Sequence, residues 1–487
     1  MDGKIRIINK RSDELDIGVD IPSRADVLVS EILDSELLGE GLIPTLQHAH
    51  DKLLIEYPQT VPYRATIYGQ VVECTYLWEM HDLVNREAGV SDGIRLVPNG
   101  MFDLLGIKRQ QYAMHCNSMK EGIKLLSEPF KVFDFDFWRR PDSSRETELH
   151  IKATNDGTVH AIISWWLLQL DSEGTIFYST GPDWIHCPSG FKDLIHPSLA
   201  LGIGVTIGNK VFGSPQAQIV LPPERIALYG DDCWRCLMLN AIGKALRQRV
   251  HQLCLVADDS IFLAIAVAHL SKSSHVIPLF PGLGKKGSEY LQRVAAANNY
   301  TMDRIEILKK KDLQSTLQDS NQRKISLFVA EPFYYGNDSV LPWQNLRFWK
   351  DRSLLDSILS KDVLIMPCRG LLRACAMYLP ILSETITILE FDFSKPMSPC
   401  SGKTQVPFRE SGMCHGFVLW IDDCGCWMQD NVLSTGPDKR HWKQAVKLLN
   451  EPVEVGHTEF SSTEMEAFFD PSNGELSLKH ALVLNQR

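Results

Sequence analysis

A chain of 487 residues, 44% of them hydrophobic, has the material for closed cores in about three domains of ~150 residues each. Its formal net charge of -10 argues against a surface that tracks nucleic-acid phosphates and suits a basic peptide partner. Twelve cysteines without framework spacing, no N-terminal apolar leader and no long apolar run predict a reducing, intracellular address and no membrane span.

In chain order, residues 5–8 and 27–30 are short apolar runs that read as strands. The second leads into a loop with four carboxylates, Glu31, Asp34, Glu36 and Glu40, in which Gly39 and Gly41 let the backbone turn back on itself. From Tyr63 to about Val220 the pattern is β-rich, with the alternating stripe Phe133, Phe135 and Phe137, as expected of a barrel or sandwich. Pro222 and Pro223 read as a link between two halves, because consecutive prolines punctuate rather than pack. Strands at 254–257, 326–330 and 363–366 then alternate with helical patterns, which predicts a parallel, doubly wound sheet. A second β-rich stretch runs from about Ile381 to the end.

The two halves repeat one another. Ile5, Ile7 and Lys10 recur as Ile305, Ile307 and Lys310, and the strand ending at Glu31 recurs as the strand ending at Glu331, both at an offset of 300. Phe135 and Phe137 recur as Phe391 and Phe393 at an offset of 256, while His160, Trp165 and the string from Ser179 to Asp183 recur at 255. Glu31 and Phe135 lie 104 positions apart but Glu331 and Phe391 only 60, so the second copy lacks a segment, which the pattern puts after Tyr378. Conversely, about 85 residues lead up to Ile305 for which the first copy, beginning at Met1, has no counterpart. The expected organisation is an α/β domain followed by a β-barrel, twice over: 1–61 and 62–220, then 221–380 and 381–487, the first copy without its front strands.

Ligands of open parallel sheets bind beyond the carboxyl ends of the strands, where Glu31 lies. Paired carboxylates suit a guanidinium, whose planar fork offers bidentate, charge-assisted hydrogen bonds; a solvated acidic loop is the other reading of this spacing. Glu31 and Glu40, nine positions apart after a strand, resemble the double-glutamate loop of the protein arginine methyltransferases. The words from Leu33 to Pro44, with His48 and His50, are similar to the class of that family that carries two modules in one chain, as are those from Pro62 to Thr66 and from Leu341 to Trp349. The resemblance covers nearly the whole chain. It implies two Rossmann-like, S-adenosylmethionine-dependent methyltransferase domains, each with a β-barrel, paired as an internal pseudo-dimer. It also implies monomethylation of arginines in basic or glycine-rich protein tails, in cytoplasm and nucleus, with no direct nucleic-acid partner. Under it Glu31 and Glu40 are catalytic, fixing one arginine nitrogen and holding charge on the others. Asp34 would bind substrate, and Ser12 and Asp13 would lie near the cofactor's adenine.

Parts of such a site are missing. A methyl donor of this kind needs a glycine-rich turn after one strand and an acid after the next, and in the first copy both would precede Met1. The second copy has Asp258 and Asp259 where glycine belongs, Phe280 and Pro281 where the acid belongs, and Val340 in place of the second glutamate. The string Arg440 to Gln444, similar to the loop that closes over the substrate arginine, gives way in the first copy to Trp184 and His186, read as a packed aromatic and an incidental histidine. These gaps predict little activity of this chain and sustain a second reading, a pseudoenzyme or interaction module with an acidic groove for arginine-rich tails. A glycosidase reading of the acid pair has no support in the repeat. Cys233, Cys236, His251 and Cys254 have a spacing zinc could use, but Cys236 falls in a helical pattern and Cys254 opens an apolar strand, so packed thiols are expected and no metal. His48 and His50 lack a third ligand. An edge left bare at residues 5–8 predicts reduced stability or association.

Overall fold

The computed structural model describes residues 5–98, 105–107, 116–185, 193–195, 219–248, 253–308, 313, 324–331, 341–378, 381–408, 411–424, 432–437, 444–455 and 460–484. The chain divides into two units, Met1–Trp78 with Arg109–Val211, and Glu79–Lys108 with Phe212–Arg487.

In the first unit Ala25–Val29 (β1) pairs in parallel with Leu54–Val61 (β2). Among the described residues the two form a sheet of their own, and Val27 and Val29 remain 50% and 73% exposed despite their apolar, β-branched side chains. Residues 5–8, expected as an edge strand, are in no strand at all, and Ile7 is 90% exposed. Without a neighbouring strand, nothing offsets the entropy of extending them. Helix α1 (Leu42–His48) follows Gly41, whose φ of 84° lies in the left-handed region that glycine tolerates. Its Leu42 and Leu46 join Phe135, Phe137, Trp166 and Leu168 in one buried cluster. Arg64–Glu73 (β3) is the hub of an antiparallel arrangement, with Phe130–Asp136 (β4) on one side and Ala161–Gln169 (β5) on the other, and Ile176–Ser179 (β6) beyond β5. The phenylalanine stripe alternates as expected: Phe135 is buried, while Asp134 accepts a hydrogen bond from Thr66 and Asp136 pairs with Arg64.

In the second unit Leu253–Val256 (β7), His275–Pro278 (β8), Ile325–Val329 (β9) and Leu359–Met366 (β10) form a four-stranded parallel sheet in the order β8-β7-β9-β10. Arg369–Tyr378 (β11) then takes the hub position, flanked antiparallel by Ile386–Asp392 (β12) and Gly412–Cys424 (β13), so the antiparallel sheet begins ahead of Ile381. The registers of the two hubs correspond. Arg64 faces Asp136 and Gln169, and Arg369 faces Asp392 and Cys424. Each hub follows a cis proline, Pro62 and Pro367.

Between β3 and β4 lies the insertion that β11 and β12 lack, and its part Glu79–Lys108 belongs to the second unit. There Asp82 caps helix α2 (Leu83–Gly89) by accepting from the Asn85 backbone N–H. Leu83, Ile94, Leu96 and Val97 join the core built around β7 and β9. The docking is held by charge in a dry place. Arg235, with no exposed surface, donates to both carboxylate oxygens of Asp92 at 2.6 and 2.9 Å, to Glu87 at 3.0 Å and to the carbonyl of Ile94 at 2.7 Å. Glu87 also accepts from the backbone N–H groups of Leu96 and Val97. Burial pushes its carboxyl up while these donors and Arg235 pull it down.

Pro222 and Pro223 do not form the loose link expected of them. Pro222 is the N-cap and Pro223 the first residue of helix α3 (Pro223–Tyr229), every residue of which is buried. Proline's fixed φ and missing N–H suit a helix's first turn, so the pair starts a packed element. Ile219–Leu221, just before it, pairs in parallel with Leu105–Ile107 of the insertion. Among the described residues no helix is long and apolar enough to cross a membrane.

Candidate functional site

The first unit's acidic loop begins where β1 ends. Ser30 donates to the carbonyl of Val61, which brings the end of β2 alongside, and the exposed Glu31 follows. Asp34 folds the loop. Its carboxylate Oδ1 accepts from the backbone N–H of Glu36 at 3.1 Å and of Gly39 at 3.0 Å, and its carbonyl accepts from Leu37 N–H and from the Trp166 indole at 3.2 Å. A Cβ at position 39 would lie 1.8 Å from the other Asp34 oxygen, so only glycine permits this closure. Leu37, at a φ of 72°, is fully buried and anchors the loop from beneath.

Glu31 and Asp34 line a cavity of about 450 Å³ together with Val29, Trp166, Tyr178 and Thr180. Trp166 and Tyr178 stack with ring centroids 5.6 Å apart, giving one wall an aromatic face. Thr180 is fixed because its hydroxyl accepts from Trp166 N–H and donates to Trp166 O. An exposed carboxylate at the rim of a partly aromatic cavity has the components that suit a cationic, planar side chain. Burial and the charge of Asp34 raise the carboxyl of the neighbouring Glu36.

The other sequence-derived residues lie elsewhere. Glu40 is exposed, two positions before helix α1, and does not line the cavity. Ser12 and Asp13 form an exposed turn of 3-10 helix in which Asp13 pairs with Arg11 at 2.8 Å, and neither lines the cavity. Trp184 packs with the cluster around Val72, Cys74 and Trp165 and donates to Gln70, and it does not line the cavity. His186 lies outside the described residues. Sequence reasoning missed Trp166, Tyr178 and Thr180 as walls, although Thr180 stood in the repeated string from Ser179 to Asp183.

The matching place in the second unit is filled. Glu331, 1% exposed, accepts from Arg225 Nε at 3.0 Å and from Ser260 Oγ at 2.6 Å. Asp258 and Asp259, which replace the expected glycines, take φ values of 60° and 59°, so the left-handed turn survives without glycine. Arg347 bridges the two aspartates at 2.9 and 3.0 Å, and Asp259 also accepts from the backbone of Gly282 and Leu283. Burial pushes the Asp258 carboxyl up to about 6 against the pull of Arg347. Side chains and backbone thus occupy the carboxyl ends of β7 and β8. Val340 and the string from Arg440 to Trp442 lie outside the described residues; Gln444 donates to the carbonyls of Thr435 and Gly436.

Among the described residues no group of three His, Cys, Asp or Glu side chains could hold a metal ion. Cys254 is fully buried in β7, Cys233 and Cys236 are exposed, and His50 meets the carbonyl of Phe137. His251 lies outside the described residues.

The family pattern for the arginine methyltransferase oligomerization subdomain matches residues 64–188 and again 329–477. A protein arginine N-methyltransferase 7 of Oryza sativa subsp. indica is 43% identical over 98% of this chain and 78% of its own length. Protein arginine N-methyltransferase 1.6 of Arabidopsis thaliana is 44% identical over 99% of this chain and 79% of its own. A protein arginine N-methyltransferase 7 of Rattus norvegicus is 26% identical, covering 99% and 83%.

Proposed function

The chain belongs to the protein arginine methyltransferase family, and from that premise we propose that it transfers a methyl group from S-adenosylmethionine to arginine side chains of proteins, which it captures at the Glu31 cavity. The carrying observation is the exposed Glu31 carboxylate beside the Trp166 and Tyr178 wall. Glu31 accepts two forked N–H donors from the guanidinium, which orients the third nitrogen and keeps positive charge away from its lone pair. Asp34 acts through the loop it folds, and Glu40, with Ser12 and Asp13, completes the site if the loop closes on ligand. The proposed product is monomethylarginine, on basic or glycine-rich tails, in cytoplasm and nucleus. The proposed organisation is two modules, 1–61 with 62–220 and 221–380 with 381–487, supported by the matching hub registers.

S-adenosylmethionine supplies the methyl group in this family's reaction. The described residues do not fit it: β1 and β2 stand alone in the first unit, and in the second the strand ends are filled by Asp258, Asp259, Arg225 and Arg347. The same observation favours a second reading, a module that binds arginine-rich tails without transferring methyl. Calorimetric titration of the full chain with S-adenosylmethionine, followed by methylarginine analysis of a Gly-Arg-rich peptide, separates the two. Binding and transfer support the first reading, and peptide binding without donor binding supports the second.

A further inference from the structure

The outer edge of β1 is open. Ser30 donates to the carbonyl of Val61 in β2. Backbone groups point to alternate sides of a strand, so the N–H and C=O of Val27 and Val29 face away from β2, and among the described residues no strand pairs with that side. The second unit shows the same edge covered. Val27, Leu28 and Val29 correspond, at an offset of 300, to Leu327, Phe328 and Val329 of β9. There β7 lies on the edge, with Cys254 beside Leu327, Leu255 beside Phe328 and Val256 beside Val329, and all three β9 residues are fully buried. Val27 and Val29 are instead largely exposed, and so is Val61, the register partner of Val29. A two-stranded sheet is marginal in water, and a bare apolar edge is a template for another strand.

The residues of β1 fit a second β1. Laid antiparallel on itself with Val27 at the centre, the run from Arg24 to Glu31 sets Val27 against Val27, Ala25 against Val29 and Asp26 against Leu28. The outward backbone groups of the two Val27 residues exchange both hydrogen bonds, apolar side chains meet on the exposed face, and no like charges stand opposite. Arg24 of each copy comes beside Ser30 and Glu31 of the other, twice by symmetry, so opposite charges meet at both ends. Centred on Val29, the same run would set Val27 against Glu31. We propose that β1 is the docking edge for a second copy of this chain, joined antiparallel about a two-fold axis at Val27 into one four-stranded sheet, β2-β1-β1-β2. This edge lies outside residues 64–188 and 329–477, which match the oligomerization subdomain, and the proposal does not require the Glu31 cavity to bind arginine.

The test is sedimentation equilibrium of the full chain at micromolar concentration. Wild type is expected at twice the mass of one chain. Val27→Lys opposes two ammonium groups at the axis and removes a buried valine from each copy, so its dissociation constant is expected to rise about 100-fold. A monomeric wild type, or a Val27→Lys dimer as tight as that of wild type, overturns the proposal. A thiol cross-link tests the register. In a Cys233→Ser/Cys236→Ser background, which removes the exposed thiols among the described residues, Val27→Cys is expected to give a covalent dimer with a short bis-maleimide. Val446→Cys, at an exposed valine of the second unit, is expected to give none. Equal cross-linking at the two positions, or none at position 27, overturns the proposal. Should Val27→Lys fail to fold, the cross-link decides, because cysteine keeps the edge apolar. Both readouts are of mass, so a chain that methylates nothing leaves the test intact.

Discussion

Arg225 donates to Glu331 across 3.0 Å in a place closed to water, whereas Glu31, its counterpart in the repeat, stands exposed with no ion-pair partner among the described residues. The same residue type at the end of a matching strand is a satisfied core group in one unit and a surface acceptor in the other. What differs is the neighbour. In the second unit α3 brings Arg225 to the strand end, and no described residue does so in the first.

Glu31→Gln is expected to weaken binding of a Gly-Arg-rich peptide by about 10- to 100-fold, the span of a charge-assisted hydrogen bond worth ~1.5–3 kcal/mol. Because Glu31 is exposed, Tm should hardly move. Glu40→Gln should cost less, since Glu40 is off the cavity. Peptide titration of both variants checks this, and equal losses would mean that the loop rearranges to bring Glu40 in.

Asp34 should tolerate Asn and not Ala. Asparagine keeps the acceptor that holds Glu36 and Gly39, while alanine frees both donors and with them the position of Glu31. The expected signature is near wild-type peptide affinity in Asp34→Asn and a loss in Asp34→Ala. Gly39→Ala should match the latter, since its Cβ would collide with Asp34. A loss in Asp34→Asn equal to that in Asp34→Ala would instead assign its charge to the substrate.

Removing Arg235 leaves Glu87 and Asp92 without their cation in the interior of the second unit. Arg235→Ala should destabilise by roughly 3–5 kcal/mol in urea unfolding, the usual cost of breaking one side of a buried pair. Hydrogen exchange should report its largest rise at residues 83–97. Lysine should not rescue, because one ammonium cannot serve two carboxylates and two carbonyls in these directions.

The Asp258 carboxyl, raised from 3.8 to about 6 by burial, keeps its proton in the folded chain where the unfolded chain has lost it. This group therefore contributes stability that is present below about pH 4 and is lost as pH rises through about 6, at no more than ~1.4 kcal/mol per pH unit. Carboxyls lowered by their partners, such as Asp134 and Asp392, slope the other way, so the informative quantity is the difference between Asp258→Asn and wild type. Urea unfolding at pH 4.5 and 6.5 should show the variant gaining relative to wild type at the higher pH.

Much of the fold was legible because local pattern sufficed for it. The strands read as ending at Ser30, Ala257, Ala330 and Met366 end within a residue of the observed ones, since short apolar runs bounded by turn residues have few alternatives. Glu31 was legible as the start of the acidic loop, which lines the cavity, because acids just beyond a strand are conspicuous. Residues 5–8 misled, because an apolar run becomes a strand only when another strand pairs with it. The two prolines misled for a related reason: their effect depends on whether a helix follows and what it packs against.

By itself the sequence determined the matching of its two halves, the apolar strand runs of the second α/β stretch and the acidic loop, all properties of neighbouring residues and of periodicity. The tertiary structure alone decided that Glu79–Lys108 packs in the second unit, that Trp166 and Tyr178 wall the Glu31 cavity, and that Arg225 sits on Glu331. These relationships join residues about a hundred or more positions apart, or depend on which surface the chain leaves dry. Burial is a property of the assembled core, and it is burial that makes one glutamate an exposed acceptor and the other half of an internal ion pair.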